Sequence, residues 1–400
     1  MADLSVDFVG MHFPNPFMLA SAPPTRTAEM IKRAFAAGWG GAVTKSIALD
    51  PAQDLQPRLQ PLRHRKRNIG MENVELSTQL TVEGWQREIA AVKTAYPDRP
   101  LWASIMDAPV EKNWQRLAEA VQEAGVDALE LNVSCPHGMP SKGMGAFIGQ
   151  DAELTGDVVS WAKKVARVPI VVKLTPNVTD IAFVAQAARE NGADALCTVN
   201  TVSGLIGVDL DTLTPVPSVG GVSTYGGYSG PGIKPIALRC VAQIAKATGL
   251  PVSGLGGLST WQDAVEFMAV GASTVQIGTA VMWNGYGIIE EMLHGLSSYL
   301  DRKDFAGLKP VIGAALPKIV GFPEMPLAPR ARASVDDTCN GCLLCVTACA
   351  DGAFQAITGV KHEKVTIDGD KCDGCGLCAM VCPLGSIIMV PRHRNGPLEG

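Results

Sequence analysis

Short apolar runs alternate with amphipathic segments along most of the chain. Runs of this length, bounded by glycine or proline, are typical of buried strands. The segments between them repeat apolar residues every three or four positions, as helices with one buried face do. We therefore predict strands at 16–23, 41–47, 101–107, 128–135, 169–176, 195–202, 251–258 and 273–281. A helix is predicted after each strand, at 27–38, 82–96, 113–125, 151–166, 180–192, 234–249, 260–271 and 287–300.

This strand-then-helix order predicts an α/β fold with a parallel sheet. Eight such units fit a (β/α)8 TIM barrel, which we assign to residues 1–325. An open doubly wound sheet is the alternative, but the chain lacks the G-x-G-x-x-G sequence with which such sheets bind dinucleotides. Ahead of the barrel, residues 4–17 alternate apolar and polar side chains, and we predict a hairpin with its turn at Pro14–Asn15.

Polar side chains and glycines follow the predicted strands. In a TIM barrel the strand ends meet at one face, and that face carries the chemistry. Paired glycines after the last two strands are typical of a phosphate site, because backbone N–H groups there bind an anion. Cys135, a thiol at the end of the fourth strand, is a candidate catalytic residue, with a buried core cysteine as the alternative. The residues expected at the active face are Ser21, Lys45, Asn132, Ser134, Cys135, Lys173, Asn200, Thr201, Gly256, Gly257, Gly278 and Thr279.

Three long connections leave the same face, at 48–81, 136–150 and 203–233. Long loops without secondary structure inside a compact domain are usually functional or disordered. The first contains a basic run, 63–67, for which we favour a solvated loop over a docking patch for an acidic partner.

Charge and hydropathy exclude several classes of function. The net charge of −5 offers no basic surface for nucleic acid. No apolar run reaches the ~18 residues of a membrane-spanning helix, so we expect no membrane insertion. The first residues show no basic segment followed by a long apolar core, and we therefore expect a cytoplasmic protein with reduced thiols.

Eight of the eleven cysteines lie close together near the C-terminus. They form two C-x2-C-x2-C-x3-C runs, the pattern of bacterial two-cluster ferredoxins, in which the fourth cysteine of each run binds the other cluster. Zinc is the alternative, but the third and fourth cysteines of each run do not fit its usual spacing. We predict a small α+β ferredoxin domain at 335–400, after a proline-rich linker at 326–334. We assign Cys339, Cys342, Cys345 and Cys382 to one [4Fe–4S] cluster, and Cys372, Cys375, Cys378 and Cys349 to the second.

The two halves together indicate a flavin. Iron–sulfur clusters transfer single electrons, whereas reduction of a carbon centre usually needs a hydride, and a flavin converts one into the other. FMN is expected at the phosphate site of the barrel. Because no nicotinamide fingerprint occurs in the chain, we expect electrons to arrive from another protein through the clusters.

Long motifs identify a family resemblance that covers nearly the whole chain. LELNVSCPHGM at 129–139, VVKLTPNVTDI at 171–181, NTVSGL at 200–205 and YSGPGIKPIALR at 228–239, followed by the ferredoxin motifs, resemble the dihydropyrimidine dehydrogenases. Within that family they resemble the iron–sulfur and FMN subunit of the bacterial NAD-dependent form. The dihydroorotate dehydrogenases are related barrels without the ferredoxin tail.

This resemblance implies a reaction and a partner. The reaction is reduction of the 5,6 double bond of uracil and thymine in pyrimidine degradation. Electrons would pass from NADH through a partner subunit that carries FAD and further clusters, in a heterotetramer.

The resemblance also implies roles for individual residues. Cys135 matches the acid that gives a proton to C5, while reduced FMN gives a hydride from N5 to C6. The glycines at 143 and 145 would be hinges of the loop that carries it. Positions that hold the pyrimidine match Asn73, Asn132, Asn200 and Thr201, whose side chains both donate and accept hydrogen bonds. Flavin-contacting positions match Ser21, Lys45, Lys173, Ser229, Gly230, Gly257, Gly278 and Thr279.

Two other functions stay open on these residues. A dihydroorotate dehydrogenase, or a relative that acts on another cyclic amide, would need a cation for the substrate carboxylate, and the matched positions offer no evident one. An electron-transfer protein would hold the clusters without a flavin and use the barrel as a docking scaffold.

Overall fold

Eight parallel strands close into a barrel in the first of the two units into which the chain divides, Met1–Ile319. The structure, a computed structural model, describes residues 2–136, 143–325 and 331–391. The described strands of this unit are β1 (Val6–Phe8), β2 (Met11–Phe13), β3 (Phe17–Leu19), β4 (Gly41–Val43), β5 (Leu59–His64), β6 (Arg67–Asn73), β7 (Leu101–Ile105), β8 (Ala128–Asn132), β9 (Ile170–Leu174), β10 (Ala195–Thr198), β11 (Val202–Gly204), β12 (Gly207–Asp209), β13 (Thr214–Val216), β14 (Gly226–Ser229), β15 (Val252–Leu255) and β16 (Ala272–Ile277).

The barrel follows chain order and confirms the predicted TIM barrel. Around its circumference the strands are β3, β4, β7, β8, β9, β10, β15 and β16, and β16 pairs with β3 to close it. All eight predicted strands are present. The described helices of this unit are α1 (Ala28–Ala37), α2 (Val82–Ala95), α3 (Glu111–Glu123), α4 (Ala146–Gly149), α5 (Ala152–Lys163), α6 (Ile181–Glu190), α7 (Lys234–Thr248), α8 (Trp261–Ala269), α9 (Thr279–Asn284) and α10 (Ile288–Arg302).

The main core lies between the barrel strands and the surrounding helices. Each helix turns one apolar face inward, and Trp85 and Trp114 are fully buried there. Helix ends use ordinary caps: the Thr27 hydroxyl accepts from the Met30 N–H at the start of α1, and Gly38 ends α1 in the left-handed conformation. These caps explain why the helix boundaries follow closely from the sequence.

The hairpin of β1 and β2 packs against one end of the barrel interior. Phe8 stacks on Trp102 at 5.5 Å between ring centroids, and Phe13 meets the same ring edge-on. The hairpin was predicted, but its turn is at Val9–Gly10, so the predicted turn at Pro14–Asn15 is wrong. Both turn residues have positive φ, as a two-residue turn between twisted strands requires, and valine is a poor indicator of that geometry.

Two of the long connections contain a second sheet rather than structureless loops. It has the order β11–β14–β6–β5, and β12 pairs with β13 as a separate hairpin. Residues far apart in sequence meet in it: Gly227 pairs with Asn73. The prediction of loops at 48–81 and 203–233 is therefore wrong over these strands. In the third connection α4 is present, and 137–142 lies outside the described residues.

The second unit, Val320–Gly400, is a small α+β domain, as predicted. In β17 (Ala331–Val335) the first four residues belong to the predicted linker 326–334, whose other part lies outside the described residues. Buried Cys345, Cys349 and Cys378 form part of the core. The other elements are α11 (Leu344–Gly352), β18 (Ile357–Thr358), β19 (Thr366–Ile367), α12 (Leu377–Val381) and β20 (Ile387–Pro391), with β17 antiparallel to β20 and β18 to β19.

Within the described part of the chain, no helix is long and apolar enough to cross a bilayer.

Candidate functional site

A deep cavity opens where the barrel strands end. The space inside it, open mouth included, is about 1000 Å³. Strand ends form its floor, and Leu59, Met71 and Asn73 of the second sheet add a wall. The sheet that the sequence did not reveal therefore shapes the site.

Nearly all predicted site residues line this cavity. The exception is Ser134, which is fully buried and does not line it. Its hydroxyl donates to Asn132 Oδ1 at 3.0 Å and accepts from Asn200 Nδ2 at 3.0 Å, so Ser134 orients two asparagines that line the cavity. The predicted residues that do line it are Ser21, Lys45, Asn73, Asn132, Cys135, Lys173, Asn200, Thr201, Ser229, Gly230, Gly256, Gly257, Gly278 and Thr279.

Cys135 follows β8 and reaches the cavity. It is 8% exposed and packs against Ala48, Met106 and Met144. Its carbonyl accepts a hydrogen bond from the Ala146 N–H at 2.8 Å, which ties it to the far side of its loop. Gly145 has φ of +63°, and a β-carbon there would lie 2.5 Å from the Cys135 carbonyl oxygen, so glycine is needed for this close approach.

Three amide and hydroxyl side chains form a polar wall beside Cys135. Asn132 donates from Nδ2 to Ser46 Oγ at 2.8 Å, and its Oδ1 accepts from Asn200 Nδ2 at 3.2 Å. Asn200 Oδ1 in turn accepts from the Thr201 backbone N–H at 2.8 Å. Opposite them in the second sheet, Asn73 is fixed by donation to the Gly227 carbonyl at 3.1 Å. Such a wall matches a ligand that alternates N–H donors with C=O acceptors.

Two buried lysines line the cavity, and each has a carboxylate partner. Lys45 Nζ lies 3.4 Å from Glu75 Oε1, and Lys173 Nζ lies 3.4 Å from Glu130 Oε1. Burial lowers the pKa of Lys45 more than Glu75 raises it. Burial also acts to lower the pKa of Lys173, but the neighbouring charge of Glu130 outweighs it, and the pKa of Lys173 is raised. Lys173 therefore holds its proton more strongly than Lys45.

The Lys173 pair belongs to a polar network inside the barrel. Gln276 donates from Nε2 toward Glu130 Oε2 at 3.4 Å and Ser253 Oγ at 3.3 Å, and Cys197 Sγ lies 3.5 Å from the same carboxylate oxygen. Desolvation and the Glu130 charge raise the pKa of the Cys197 thiol well above its ordinary value, so it is an uncharged member. Gln276 Oε1 is buried without a hydrogen-bond partner among the described residues, although Gln276 lines the cavity.

The glycine-rich strand ends fit the phosphate and ring of FMN. Gly257 has φ of +84°, and a β-carbon there would lie 2.7 Å from the Lys234 nitrogen, so glycine is needed where this strand end approaches the start of α7. Thr279 Oγ1 donates to Ser229 Oγ at 2.9 Å beside Gly278, which adds hydroxyls to the same corner. Gln276 Oε1 suits an N–H donor at the edge of a flavin ring. The Lys173 ammonium suits an electron-rich edge of the same ring. These residues would hold FMN.

In the second unit the cysteines gather into two sets of four. Among the residues described, no three His, Cys, Asp or Glu side chains converge as they would on a single metal ion. Each set instead surrounds a small cavity of its own, and four thiols around one cavity suit a four-iron cube. One cavity is lined by Cys339, Cys342, Cys345 and Cys382, and the other by Cys349, Cys372, Cys375 and Cys378.

Sequence reasoning did not single out Glu75, Glu130, Gln276 and Ser46. The sequence does contain a signal for Glu130 and Gln276. Each is a charged or amide side chain inside an otherwise apolar strand, and such a side chain must find a buried partner. Glu75 follows β6, in a stretch whose pairing depends on distant residues, and nothing local marks it.

Comparison with known proteins agrees with this geometry. Residues 3–300 match the family model described as dihydroorotate dehydrogenase, and residues 333–389 match the 4Fe-4S dicluster domain. The chain is 39% identical, over 89% of its length and 87% of the relative's, to the NAD-dependent dihydropyrimidine dehydrogenase subunit PreA of Escherichia coli (strain K12).

Two further relatives each cover 78% of the chain. The chloroplastic dihydropyrimidine dehydrogenase (NADP(+)) of Arabidopsis thaliana is 39% identical, over 78% of this chain and 77% of the relative. The catalytic subunit of dihydroorotate dehydrogenase B (NAD(+)) of Pyrococcus abyssi is 40% identical, over 78% of this chain and 99% of the relative. The chain therefore belongs to the dihydroorotate dehydrogenase family of oxidoreductases, whose barrel binds FMN, and it adds a C-terminal domain for two [4Fe–4S] clusters.

Proposed function

We propose that this chain reduces the 5,6 double bond of uracil and thymine, as the catalytic subunit of an NAD-dependent dihydropyrimidine dehydrogenase. The observation that carries the proposal is that Cys135 lines the same cavity as the polar wall of Asn132, Asn200 and Thr201. A proton donor and a set of paired donors and acceptors are what a cyclic amide with a reducible double bond requires.

Cys135 is the proton donor in this proposal. Reduced FMN, when bound, supplies a hydride to C6 of the pyrimidine, and the Cys135 thiol protonates C5. The Gly145 turn and the Ala146 N–H hold the Cys135 backbone, so that the thiol keeps its place beside the cavity. Gly143, also at positive φ, and Gly145 lie in the connection that follows Cys135 and serve as its hinges in this proposal.

Asn73, Asn132, Asn200 and Thr201 hold the pyrimidine. Their mutual hydrogen bonds fix which atoms face the cavity, and this preorganisation limits the entropy lost on binding. Flavin contacts are assigned to Ser21, Lys45, Lys173, Ser229, Gly230, Gly256, Gly257, Gly278 and Thr279.

Electrons reach the barrel through the two clusters in this proposal. Cys339, Cys342, Cys345 and Cys382 bind one, and Cys349, Cys372, Cys375 and Cys378 bind the other. A partner subunit with FAD oxidises NADH. The name of the Escherichia coli relative as a subunit supports such a partner, and a heterotetramer of two copies of each chain is the assembly we propose.

A substrate panel tests the proposal. The FMN- and cluster-loaded chain is incubated anaerobically with ferricyanide and dihydrouracil, dihydrothymine or dihydroorotate, and the products are separated by chromatography. We expect uracil and thymine to form. Oxidation of dihydroorotate alone would overturn the proposal.

Dihydroorotate oxidation is the second candidate function. Lys45 is a cation that lines the cavity, and the Pyrococcus abyssi relative is named for that reaction. The same panel decides between the two, because the substrates differ by one carboxylate.

A further inference from the structure

A cluster of charged side chains stands behind the wall of the cavity at Glu75. The Glu75 side chain is 2% exposed and accepts from Arg26, while Lys45 Nζ lies 3.4 Å from its Oε1 and Arg58 Nε lies 3.7 Å from its Oε2. Asp54 pairs with Arg26 at 3.1 Å and with Arg58 at 3.8 Å. Three cations thus surround two carboxylates.

Only Lys45 and Glu75 of this cluster line the cavity. A buried lysine at a cavity wall is a binding point for an anion, unless a carboxylate of the protein has already taken that place. Glu75 takes it here. The two arginines hold Glu75 from behind, where they do not line the cavity, so that its carboxylate keeps its position beside Lys45.

We propose that Glu75 is a specificity-determining residue: its carboxylate occupies the anion-binding position at Lys45, so that the site selects neutral pyrimidines over pyrimidines that carry a carboxylate. This inference rests on the proposed function and refines it. The negative charge of Glu75 repels the carboxylate of such a ligand. Specificity then comes from weaker binding of the wrong ligand rather than from tighter binding of the right one.

The test measures binding to the full chain loaded with FMN and clusters. The ligands are uracil, orotate, which is uracil with a carboxylate on C6, and 6-methyluracil, which has bulk at C6 without charge. Glu75→Gln keeps the shape of the side chain and removes its charge. Asp54→Asn is the matched control, since it removes a charge from the same cluster at a side chain that does not line the cavity.

We expect Glu75→Gln to shift the ratio of orotate to uracil dissociation constants by about tenfold or more in favour of orotate. The ratio of 6-methyluracil to uracil should stay the same, and Asp54→Asn should change neither ratio by more than about threefold. An unchanged orotate ratio in Glu75→Gln, an equal gain for 6-methyluracil, or an equal effect of Asp54→Asn would each overturn the inference.

A second measurement needs no variant, in case Glu75→Gln fails to fold. The wild-type chain should bind the neutral methyl ester of orotate about tenfold or more tightly than orotate itself, although the ester is larger. Equal affinity would overturn the inference. Failure of the proposed function is distinguishable, because the wild-type chain would then bind and reduce no uracil at all.

Discussion

Cys135 occupies a position that depends on its neighbours along the chain as well as on its strand. The β8 strand delivers it to the cavity, Met106 and Met144 pack against it, and the Ala146 N–H fixes its carbonyl. The thiol at the strand end could be predicted from the sequence. The fixing contacts could not, because they require the loop to fold back onto it.

Replacement of Cys135 by alanine should remove proton donation. We expect uracil turnover to fall by roughly 10²–10⁴-fold, with FMN content unchanged, because a general acid contributes about that factor. Steady-state turnover and FMN released by acid precipitation measure the two quantities. Cys240→Ala is the control, since Cys240 is a buried thiol in α7 that does not line the cavity. Turnover of Cys135→Ala within tenfold of wild type would contradict the role.

The buried pair of Lys173 and Glu130 should couple strongly in stability. Removal of either partner leaves a buried charge, so Glu130→Gln or Lys173→Met alone should cost about 3–5 kcal/mol of unfolding free energy. The double variant should cost less than the sum of the two. All seven tryptophans lie in the barrel unit, so tryptophan fluorescence during urea unfolding reports on this unit alone. Additive costs would show that the pair is not coupled.

The same pair gives a pH dependence with a definite sign. The pKa of Lys173 is raised in the folded state, so its stabilising effect is complete below the unfolded pKa of about 10.4 and is lost as pH rises through the folded value. The stability difference between wild type and Glu130→Gln should therefore be constant near neutral pH and should shrink above about pH 10. A difference that shrinks on acidification toward neutral pH would contradict this assignment.

At the scale of elements, local patterns predicted the barrel and failed for the second sheet. The barrel strands are short and buried on both faces, and amphipathic helices follow them, so each unit can be recognised in the sequence. The strands β6 and β14 contain polar residues and glycines and pair only with residues far away in the chain. No local pattern encodes such pairing. Asn73 could therefore be predicted as a site residue only from the family resemblance.

Gly227 tests the contribution of this second sheet to the site. A β-carbon at Gly227 would lie 2.2 Å from Thr201 Oγ1, so Gly227→Ala should displace Thr201. We expect the KM for uracil to rise about tenfold or more, with FMN content near that of wild type. Gly207→Ala in β12 is the control, because its nearest neighbour would be Val216 at 3.9 Å. An unchanged KM would remove Thr201 from the substrate site.

The crossed cysteine assignment predicts which double variants share a cluster. Cys349→Ser should lower the iron content from about eight to about four per chain. Addition of Cys375→Ser should remove no further iron, because both thiols line the same cavity, whereas addition of Cys342→Ser should remove nearly all of it. Iron analysis after purification under anaerobic conditions measures this. The reverse pattern would assign each cluster to a single run of the sequence.

At the scale of the whole molecule, the chain combines a unit for two-electron chemistry with a unit for one-electron transfer. Both could be predicted, because eight βα units and a doubled cysteine run are patterns that repeat. The choice of substrate is encoded in a few side chains, such as Glu75 beside Lys45, whose meeting depends on the completed fold. Composition and periodicity carry no information on such a pair.

A single turnover tests the central claim most directly. The FMN- and cluster-loaded chain is reduced with one equivalent of dithionite, which supplies two electrons per chain, and is mixed anaerobically with an equimolar mixture of uracil and orotate, after which the products are quantified by mass spectrometry. We predict dihydrouracil in an amount close to that of the FMN, and little or no dihydroorotate. Formation of dihydroorotate with uracil recovered unchanged would contradict the account.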